Sequence, residues 1–169
     1  MISALVLAAG AATRFGAPKQ RLLLTPVLDR VRASAVDEIV VVIGAYQVTT
    51  DARTVKCPEW ERGPGASLRC GLEALSEEVE AAVVVLADGP QLSPKAIDRV
   101  IDAWHSSGVD VLAATDEGER GHPLLVASSA WDRIPDEGLR SLAFTPVPCD
   151  DLGAPGDVDT PEDLRAMEF

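Results

Sequence analysis

Short, almost wholly apolar runs recur along the chain, and each is followed by small or polar residues. Such runs are typical of strands in a parallel sheet, because a strand covered by helices on both faces needs apolar side chains on both. The predicted strands span residues 2–8, 38–44, 53–57, 82–87, 109–114, 122–127 and 145–148. Ligands bind beyond the carboxyl ends of the strands in such sheets. The residues just after each run are therefore the first candidates for function.

Helix-start signals lie between the predicted strands. The pairs Thr25–Pro26, Ser93–Pro94 and Thr160–Pro161 each join a hydroxyl, which can accept hydrogen bonds from free N–H groups, to a proline suited to the first helical position. Further helical segments are predicted at residues 66–76, near residue 130 and at residues 139–143. The alternation of strands and helices predicts a three-layer α/β/α, Rossmann-like fold with a mostly parallel sheet. At 169 residues the chain fits one domain, residues 1–169.

Charge and cysteine content restrict the classes of partner and the compartment. The chain carries 15 Lys and Arg residues against 27 Asp and Glu residues, a formal net charge of −12, which is poorly suited to binding nucleic-acid backbones or anionic membranes. No run approaches the roughly 18 consecutive apolar residues of a membrane-spanning helix. The three cysteines, Cys57, Cys70 and Cys149, are odd in number and widely spaced, so we expect buried thiols rather than disulfides or a zinc site. These features favour a cytoplasmic protein.

The segment after the first strand carries the strongest candidate chemistry. Residues 9–17 are rich in small side chains, which let a ligand approach the backbone N–H groups closely. Arg14, Lys19 and Arg21 add positive charge to a chain that is otherwise acidic. The segment therefore predicts binding of a triphosphate, although its glycine spacing matches neither a Walker A loop nor a Rossmann fingerprint. A tight turn with surface cations is the alternative.

Two aspartates are candidates for a metal site. Asp88 follows the apolar run at residues 82–87, and Asp159 precedes the helix predicted from Thr160. Mg²⁺ prefers one or two carboxylates, with water and substrate phosphate in its other positions, so two aspartates at the same sheet edge would suit it. For Asp159 the alternative is a helix-start role, because an acidic side chain stabilises the positive end of the helix dipole.

Taken together, these motifs resemble the MobA-like NTP transferases, nucleotidyltransferases of the GT-A type, and most closely their molybdenum cofactor cytidylyltransferase branch. The resemblance covers nearly the whole chain, in family order, at residues 7–20, 60–72, 86–90, 121–123 and 156–164. It implies residues that hold the nucleotide and its phosphates, namely Leu7, Ala8, Ala9, Gly10, Arg14, Gly16 and Lys19. It further implies that Gly65 and Ser67 lie near the base and that His122 faces the acceptor. The implied Mg²⁺ ligands are Asp88 and Asp159, and the implied catalytic residues are Arg14, Lys19 and Asp88.

The resemblance also implies the reaction. A nucleoside monophosphate, CMP in preference to GMP, would move from CTP or GTP to a phosphorylated acceptor, most closely molybdopterin, with release of pyrophosphate. A molybdoenzyme or a cofactor-insertion protein would then be a partner. Three departures from the family keep alternatives open: Gly89 stands where the family usually has Gln, and residues 21–28 and 132–143 are shortened. The alternatives are a sugar-phosphate or phospholactate acceptor, and a non-catalytic nucleotide-binding accessory protein.

Overall fold

A seven-stranded, mostly parallel sheet forms the centre of the fold. The computed structural model describes residues 1–10, 19–156 and 161–166 of the chain. The strands are β1 (Ile2–Ala8), β2 (Glu38–Ile43), β3 (Arg53–Lys56), β4 (Ala81–Leu86), β5 (Val111–Asp116), β6 (Glu119–Ala127) and β7 (Thr145–Pro148). They lie in the order β3-β2-β1-β4-β6-β5-β7, in which β6 runs antiparallel to β4 and β5 and the other neighbours are parallel.

Helices cover both faces of the sheet. The α-helices are α1 (Lys19–Arg32), α2 (Pro64–Glu73), α3 (Pro94–Ser107) and α4 (Pro161–Ala166). Short 3-10 turns occur at Trp60–Arg62, Ser128–Arg133, Leu139–Ser141 and Asp150–Leu152. Within the described ranges, no helix is long and apolar enough to cross a membrane.

Each face of the sheet has its own hydrophobic core, which explains why the strands are apolar at successive positions. Along β1, Ala4 and Val6 point into the core shared with α1 and α3, whereas Leu5 between them points into the core shared with α2. Successive side chains of a strand alternate between faces, and here both faces are dry. The three-layer α/β/α prediction and the mostly parallel sheet are confirmed.

The predicted start of the first helix at Thr25–Pro26 is wrong. Helix α1 begins at Lys19 and contains Pro26 in its interior. Proline removes one helical N–H and usually ends or kinks a helix. Here Leu23 and Leu24, which precede the proline, are buried in the core, and we attribute the longer helix to this burial, since packing overrides local propensity. The pair Thr25–Pro26, which is typical of a helix start, therefore lies inside α1.

The expectation of three buried thiols is also wrong. Cys57, which follows β3, forms a disulfide with Cys70 of α2, and their Cα atoms are 5.7 Å apart. The two cysteines are 13 positions apart in sequence, and the packing of α2 over the end of β3 brings them together. Cys149 is a buried free thiol, as expected, and burial raises the pKa of its thiol.

Helix α2 packs on the sheet through Gly71, which gives a test of this contact. A Cβ atom at residue 71 would lie 2.7 Å from Cγ2 of Val42 and 3.2 Å from Cδ1 of Leu5. We expect Gly71→Ala to lower the free energy of unfolding in urea. Overpacking costs about 1–3 kcal/mol, more than the roughly 0.5–1 kcal/mol that alanine gains over glycine in a helix.

The matched control is Gly121→Ala in β6, where the nearest atom to the added Cβ would be the Ala114 carbonyl oxygen at 3.7 Å, an ordinary contact. We expect this variant to unfold at about the wild-type urea concentration. A Gly71→Ala protein as stable as the control would contradict the close packing of α2.

Candidate active site

The carboxyl ends of β1, β2 and β4 meet at one edge of the sheet because these strands are parallel. Leu7 of β1 pairs in register with Leu86 of β4, and the next residue, Ala8, pairs with Ile43 of β2. Just beyond the strands, the Ala87 N–H donates a hydrogen bond to the Leu7 carbonyl at 3.1 Å. The antiparallel strand β6 starts at the same edge, so the residues of its first half face those that follow β4.

The predicted nucleotide-holding segment begins at this edge. Leu7 and Ala8 are the last residues of β1, Ala9 is buried directly after it, and Gly10 is exposed. Lys19 is the first residue of α1. The predicted phosphate contacts that lie outside the described residues are Arg14, Gly16 and the side chain of Lys19. The edge therefore presents the start of the predicted loop, and the roles of its residues stay predictions.

The N-terminus of α2, where Gly65 and Ser67 lie, is packed under residues 134–138. The Gly65 N–H donates to the Asp136 carbonyl at 2.8 Å, and a Cβ atom at residue 65 would fall 1.7 Å from the Pro135 carbonyl oxygen. Only glycine fits at this position. Gly65 and Ser67 are both buried, so a base near them would contact this end of α2 beside the 134–138 segment.

Two arginines tie the 134–138 segment to α2 and to the turn before it. Arg69 donates to the Ile134 carbonyl at 2.7 Å and forms an ion pair with Asp136, and Arg62 pairs with the same carboxylate at 3.1 Å. The Arg69 hydrogen bond, assisted by Arg62, lowers the pKa of Asp136. The segment that the sequence marked as shortened is thus anchored on the helix that begins at this edge.

Asp88 is the carboxylate closest to the end of β4. The sequence predicted that Asp88 would follow the strand directly. In the structure β4 ends at Leu86, so Asp88 lies two positions beyond the strand. The residue is half-buried, and its Oδ1 atom is buried. A hard oxygen donor that is partly withdrawn from water at a strand end fits a Mg²⁺ ion, which takes few protein ligands. Asp159, the second predicted ligand, lies outside the described residues.

The packing of the chain explains why residue 89 is glycine rather than the Gln typical of the family. A Cβ atom at Gly89 would lie 3.0 Å from Cβ of Pro155 and 3.3 Å from the Gly156 carbonyl oxygen. The Gln91 N–H also donates to the Pro155 carbonyl at 2.8 Å. A longer side chain at residue 89 would displace this segment, which leads toward Asp159. The departure is therefore accounted for by packing beside Asp88.

An open cavity of about 580 Å³ extends from the end of β4 to the β5–β6 hairpin. Its volume is within the range typical of small-molecule sites. The charged and titratable residues along its walls are Asp116, Glu117, Glu119, Arg120, His122 and Arg140. Arg120 donates to the Leu139 carbonyl at 2.8 Å and so holds the turn that carries Arg140. Carboxylates, guanidinium groups and an imidazole thus face one space next to Asp88.

His122 is neutral at physiological pH. Burial, and to a smaller extent the nearby positive charge of Arg120, together lower the pKa of its imidazole to about 4. The sequence predicted His122 at the start of a strand. In the structure it lies within β6, where it lines the cavity. A neutral imidazole can donate one hydrogen bond and accept another. It suits a role in orienting a bound group better than a role in charge neutralisation.

The described residues contain no group of three or more His, Cys, Asp or Glu side chains that could hold a metal ion by themselves. Mg²⁺ commonly binds one or two carboxylates together with substrate phosphate, and Asp88 is the predicted ligand that the structure describes.

Sequence reasoning missed Arg120 and Arg140 as wall residues of the cavity. Arg120 stands next to the Gly121–Pro123 motif and could have been found from its position. No local sequence signal marked Arg140. Its position depends on the hydrogen bond from Arg120 to the Leu139 carbonyl, and those two residues are 19 positions apart.

The buried imidazole predicts a pH dependence of stability. Because the pKa of His122 is about 4 when folded and 6.5 as its ordinary value, the unfolded chain binds a proton between these pH values that the folded chain does not. The contribution of neutral His122 to the free energy of unfolding is complete above pH 6.5 and is lost as the pH falls toward 4. Between pH 7 and pH 5 we expect a loss of about 2 kcal/mol in the free energy of unfolding.

Urea unfolding of wild type and His122→Gln at the two pH values measures this loss. The variant should lack it, whereas His105→Gln, an exchange at an exposed position of α3, should keep it. Equal pH dependence of wild type and His122→Gln would contradict the neutral, buried imidazole.

Known proteins share this architecture. A structure of Rv0371c from Mycobacterium tuberculosis H37Rv superposes with a TM-score of 0.80 at 25% identity, covering 97% of this chain and 95% of that one. A structure of Rv0371c in complex with manganese gives a TM-score of 0.77 at 23% identity, covering 97% and 96% of the two chains. Molybdopterin-guanine dinucleotide biosynthesis protein A from Archaeoglobus fulgidus has the same fold, with a TM-score of 0.72, 18% identity, and coverage of 96% and 95%.

Sequence comparison identifies the family. Bifunctional protein GlmU from Rubrobacter xylanophilus is 34% identical over 120 residues, which are 63% of this chain and 25% of that protein. The chain therefore spans about a quarter to a third of the length of the curated relatives it matches. The profile of the MobA-like NTP transferase domain matches residues 4–143. The chain belongs to the MobA-like NTP transferase family of nucleotidyltransferases.

Proposed function

We propose that the chain transfers a nucleoside monophosphate from a nucleoside triphosphate to a phosphorylated small molecule and releases pyrophosphate. The observation that carries the proposal is that the chain neighbours of Asp88 contact two different parts of this edge of the sheet. On one side, the Ala87 N–H binds the Leu7 carbonyl next to Ala9–Gly10, the start of the predicted nucleotide loop. On the other side, Leu86 and Gly89 line the cavity that contains His122. A group held at Asp88 would be in reach of both.

These two parts of the edge suit the two substrates of such a reaction. The nucleotide would bind along residues 7–10, with Arg14, Gly16 and Lys19 at its phosphates and Gly65 and Ser67 near its base. The acceptor would occupy the cavity, where His122 would orient it. Reactions of this kind depend mainly on positioning and on charge stabilisation. Binding of the acceptor and the α-phosphorus on either side of the Asp88 carboxylate would provide the positioning.

The chemistry requires little of the protein beyond this. An oxygen of the acceptor phosphate attacks the α-phosphorus, the bond to the bridging oxygen of pyrophosphate breaks, and pyrophosphate leaves with the electron pair. The attacking phosphate is already ionised at neutral pH, so no general base is needed, in agreement with a neutral His122. Arg14 and Lys19 would offset the negative charge on the phosphates. Mg²⁺ held by Asp88 and Asp159 would neutralise further charge there when bound.

The finer proposal concerns the substrates. The Ala8–Gly10 sequence supports CTP in preference to GTP, and the resemblance of the whole motif set supports molybdopterin as acceptor. A molybdoenzyme or a cofactor-insertion protein would then receive the product. The packing of Gly89 against Pro155 and Gly156 weakens the argument for a non-catalytic accessory protein, because it gives residue 89 a structural reason to differ from the family.

Asp88→Ala should lower turnover by several orders of magnitude while the fold is retained, because the variant loses the carboxylate that would hold the metal between the substrates. The measurement is pyrophosphate release with CTP and molybdopterin in the presence of Mg²⁺, and chelation by EDTA should abolish the wild-type signal in the same way.

Asp102→Ala, at an exposed position of α3, is the matched control and should keep wild-type turnover. Circular dichroism and thermal unfolding confirm that both variants fold. Near-normal pyrophosphate release by Asp88→Ala would overturn the metal-binding role of this residue.

A further inference from the structure

Trp60 lies at the sheet edge where β1, β2 and β4 end, against the backbone of Gly44. Gly44 follows β2 directly, and a Cβ atom there would lie 2.6 Å from Cγ of Trp60 and 2.9 Å from the Ala9 carbonyl oxygen. The Ala45 N–H donates to the same carbonyl at 3.3 Å. The indole and the start of the nucleotide loop therefore meet at Gly44, and a side chain at residue 44 would displace the indole.

The indole of Trp60 belongs to neither hydrophobic core of the described residues. Trp104 packs against the core on the α1 and α3 side. Trp131 packs against the other core, and its Nε1 donates to the Val126 carbonyl at 3.0 Å. Trp60 is absent from both cores of the described residues. Trp60 is half-buried, and its packing lies outside the two cores.

The backbone on both sides of Trp60 is nevertheless fixed. Before it, the Cys57 N–H donates to the Ile43 carbonyl at 2.7 Å, and Cys57 is bonded to Cys70 of α2. After it, the Gly63 N–H donates to the Trp60 carbonyl at 3.3 Å, and Arg62 pairs with Asp136 at 3.1 Å. A side chain carried on an ordered backbone segment adds less ordering cost on binding than one on a loose loop.

We propose that Trp60 is a binding residue for the nucleobase and that the planar base of the nucleoside triphosphate stacks on its indole. The inference rests on the proposed nucleotide-binding function and adds a residue to it. Trp60 stands between the two segments expected to contact the nucleoside, Ala9–Gly10 on one side and the start of α2 at Gly65 on the other. A planar, partly apolar ring is the ligand chemistry that stacks on an aromatic side chain.

Stacking on an indole makes a specific prediction about selectivity. Every base has a π face, so stacking is tolerant of base identity. Loss of Trp60 should therefore weaken the binding of CTP and GTP by similar factors, and the choice between them would come from other contacts. Inorganic tripolyphosphate has no base, and its affinity should not depend on Trp60.

The test is calorimetric titration of the full chain with CTP, GTP and inorganic tripolyphosphate, each with Mg²⁺. We expect Trp60→Ala to weaken both nucleotides by roughly tenfold or more, the range that alanine substitution at a stacking aromatic produces, and to leave tripolyphosphate unchanged. Trp60→Phe should retain most of the affinity because it keeps an aromatic face. Equal nucleotide affinity in wild type and Trp60→Ala would overturn the inference, as would an equal loss for tripolyphosphate.

Tryptophan fluorescence provides a second readout that a purely structural role would not move, and it decides the matter if Trp60→Ala does not fold. CTP should quench wild-type emission saturably, Trp104→Phe should keep the quench, and Trp60→Phe should lose it. A quench that survives in Trp60→Phe would contradict stacking. If wild type binds no triphosphate with Mg²⁺, the proposed function fails and this inference fails with it. If wild type binds triphosphates but Trp60 has no effect, this inference alone fails.

Discussion

Burial of both faces of the central sheet is the constraint on which the rest of the structure depends. With α1 and α3 on one face and α2 on the other, the residues of the central strands are largely withdrawn from water, and apart from Ser3 and Thr115 the buried ones are apolar. Polar chemistry is thereby confined to the ends of the strands, since a buried polar group without partners is costly. Parallel pairing of β1, β2 and β4 then places three such ends at one edge. The position of the candidate site follows from hydrophobic burial together with topology.

Close backbone packing at glycines shapes that edge. Gly44 allows Trp60 to lie over the ends of β1 and β2, Gly65 allows residues 134–138 to cover the start of α2, and Gly89 allows residues 155–156 to approach Asp88. At each of these positions a Cβ atom would meet a neighbour at 3.0 Å or less. The three contacts bring chain segments from distant sequence positions to the same edge. The contact at Gly65 fixes part of the 132–143 segment, which the sequence resemblance led us to expect to be shortened.

The layered fold could be predicted from the sequence because its signals are local, whereas the roles of the site residues stay predictions. The apolar run of β1 has the predicted bounds, Ile2–Ala8, and Ser93 caps α3 at its predicted start by accepting a hydrogen bond from the Lys95 N–H. Signals that depend on packing could not be predicted. The true start of α1 before Pro26 and the Cys57–Cys70 disulfide each depend on contacts with distant residues. The placement of Arg140 in the cavity has the same cause, since it follows from a hydrogen bond between Arg120 and the Leu139 carbonyl.

Asp88, at the end of β4 and between the two proposed substrate spaces, is the central element of this account. The most direct test is calorimetric titration of wild type and Asp88→Ala with CTP, GTP, ATP and UTP, each with and without Mg²⁺. The account predicts that wild type binds a triphosphate, CTP most tightly, only when Mg²⁺ is present, and that Asp88→Ala loses the Mg²⁺-dependent part of the affinity. Failure of wild type to bind any triphosphate in the presence of Mg²⁺ would contradict it.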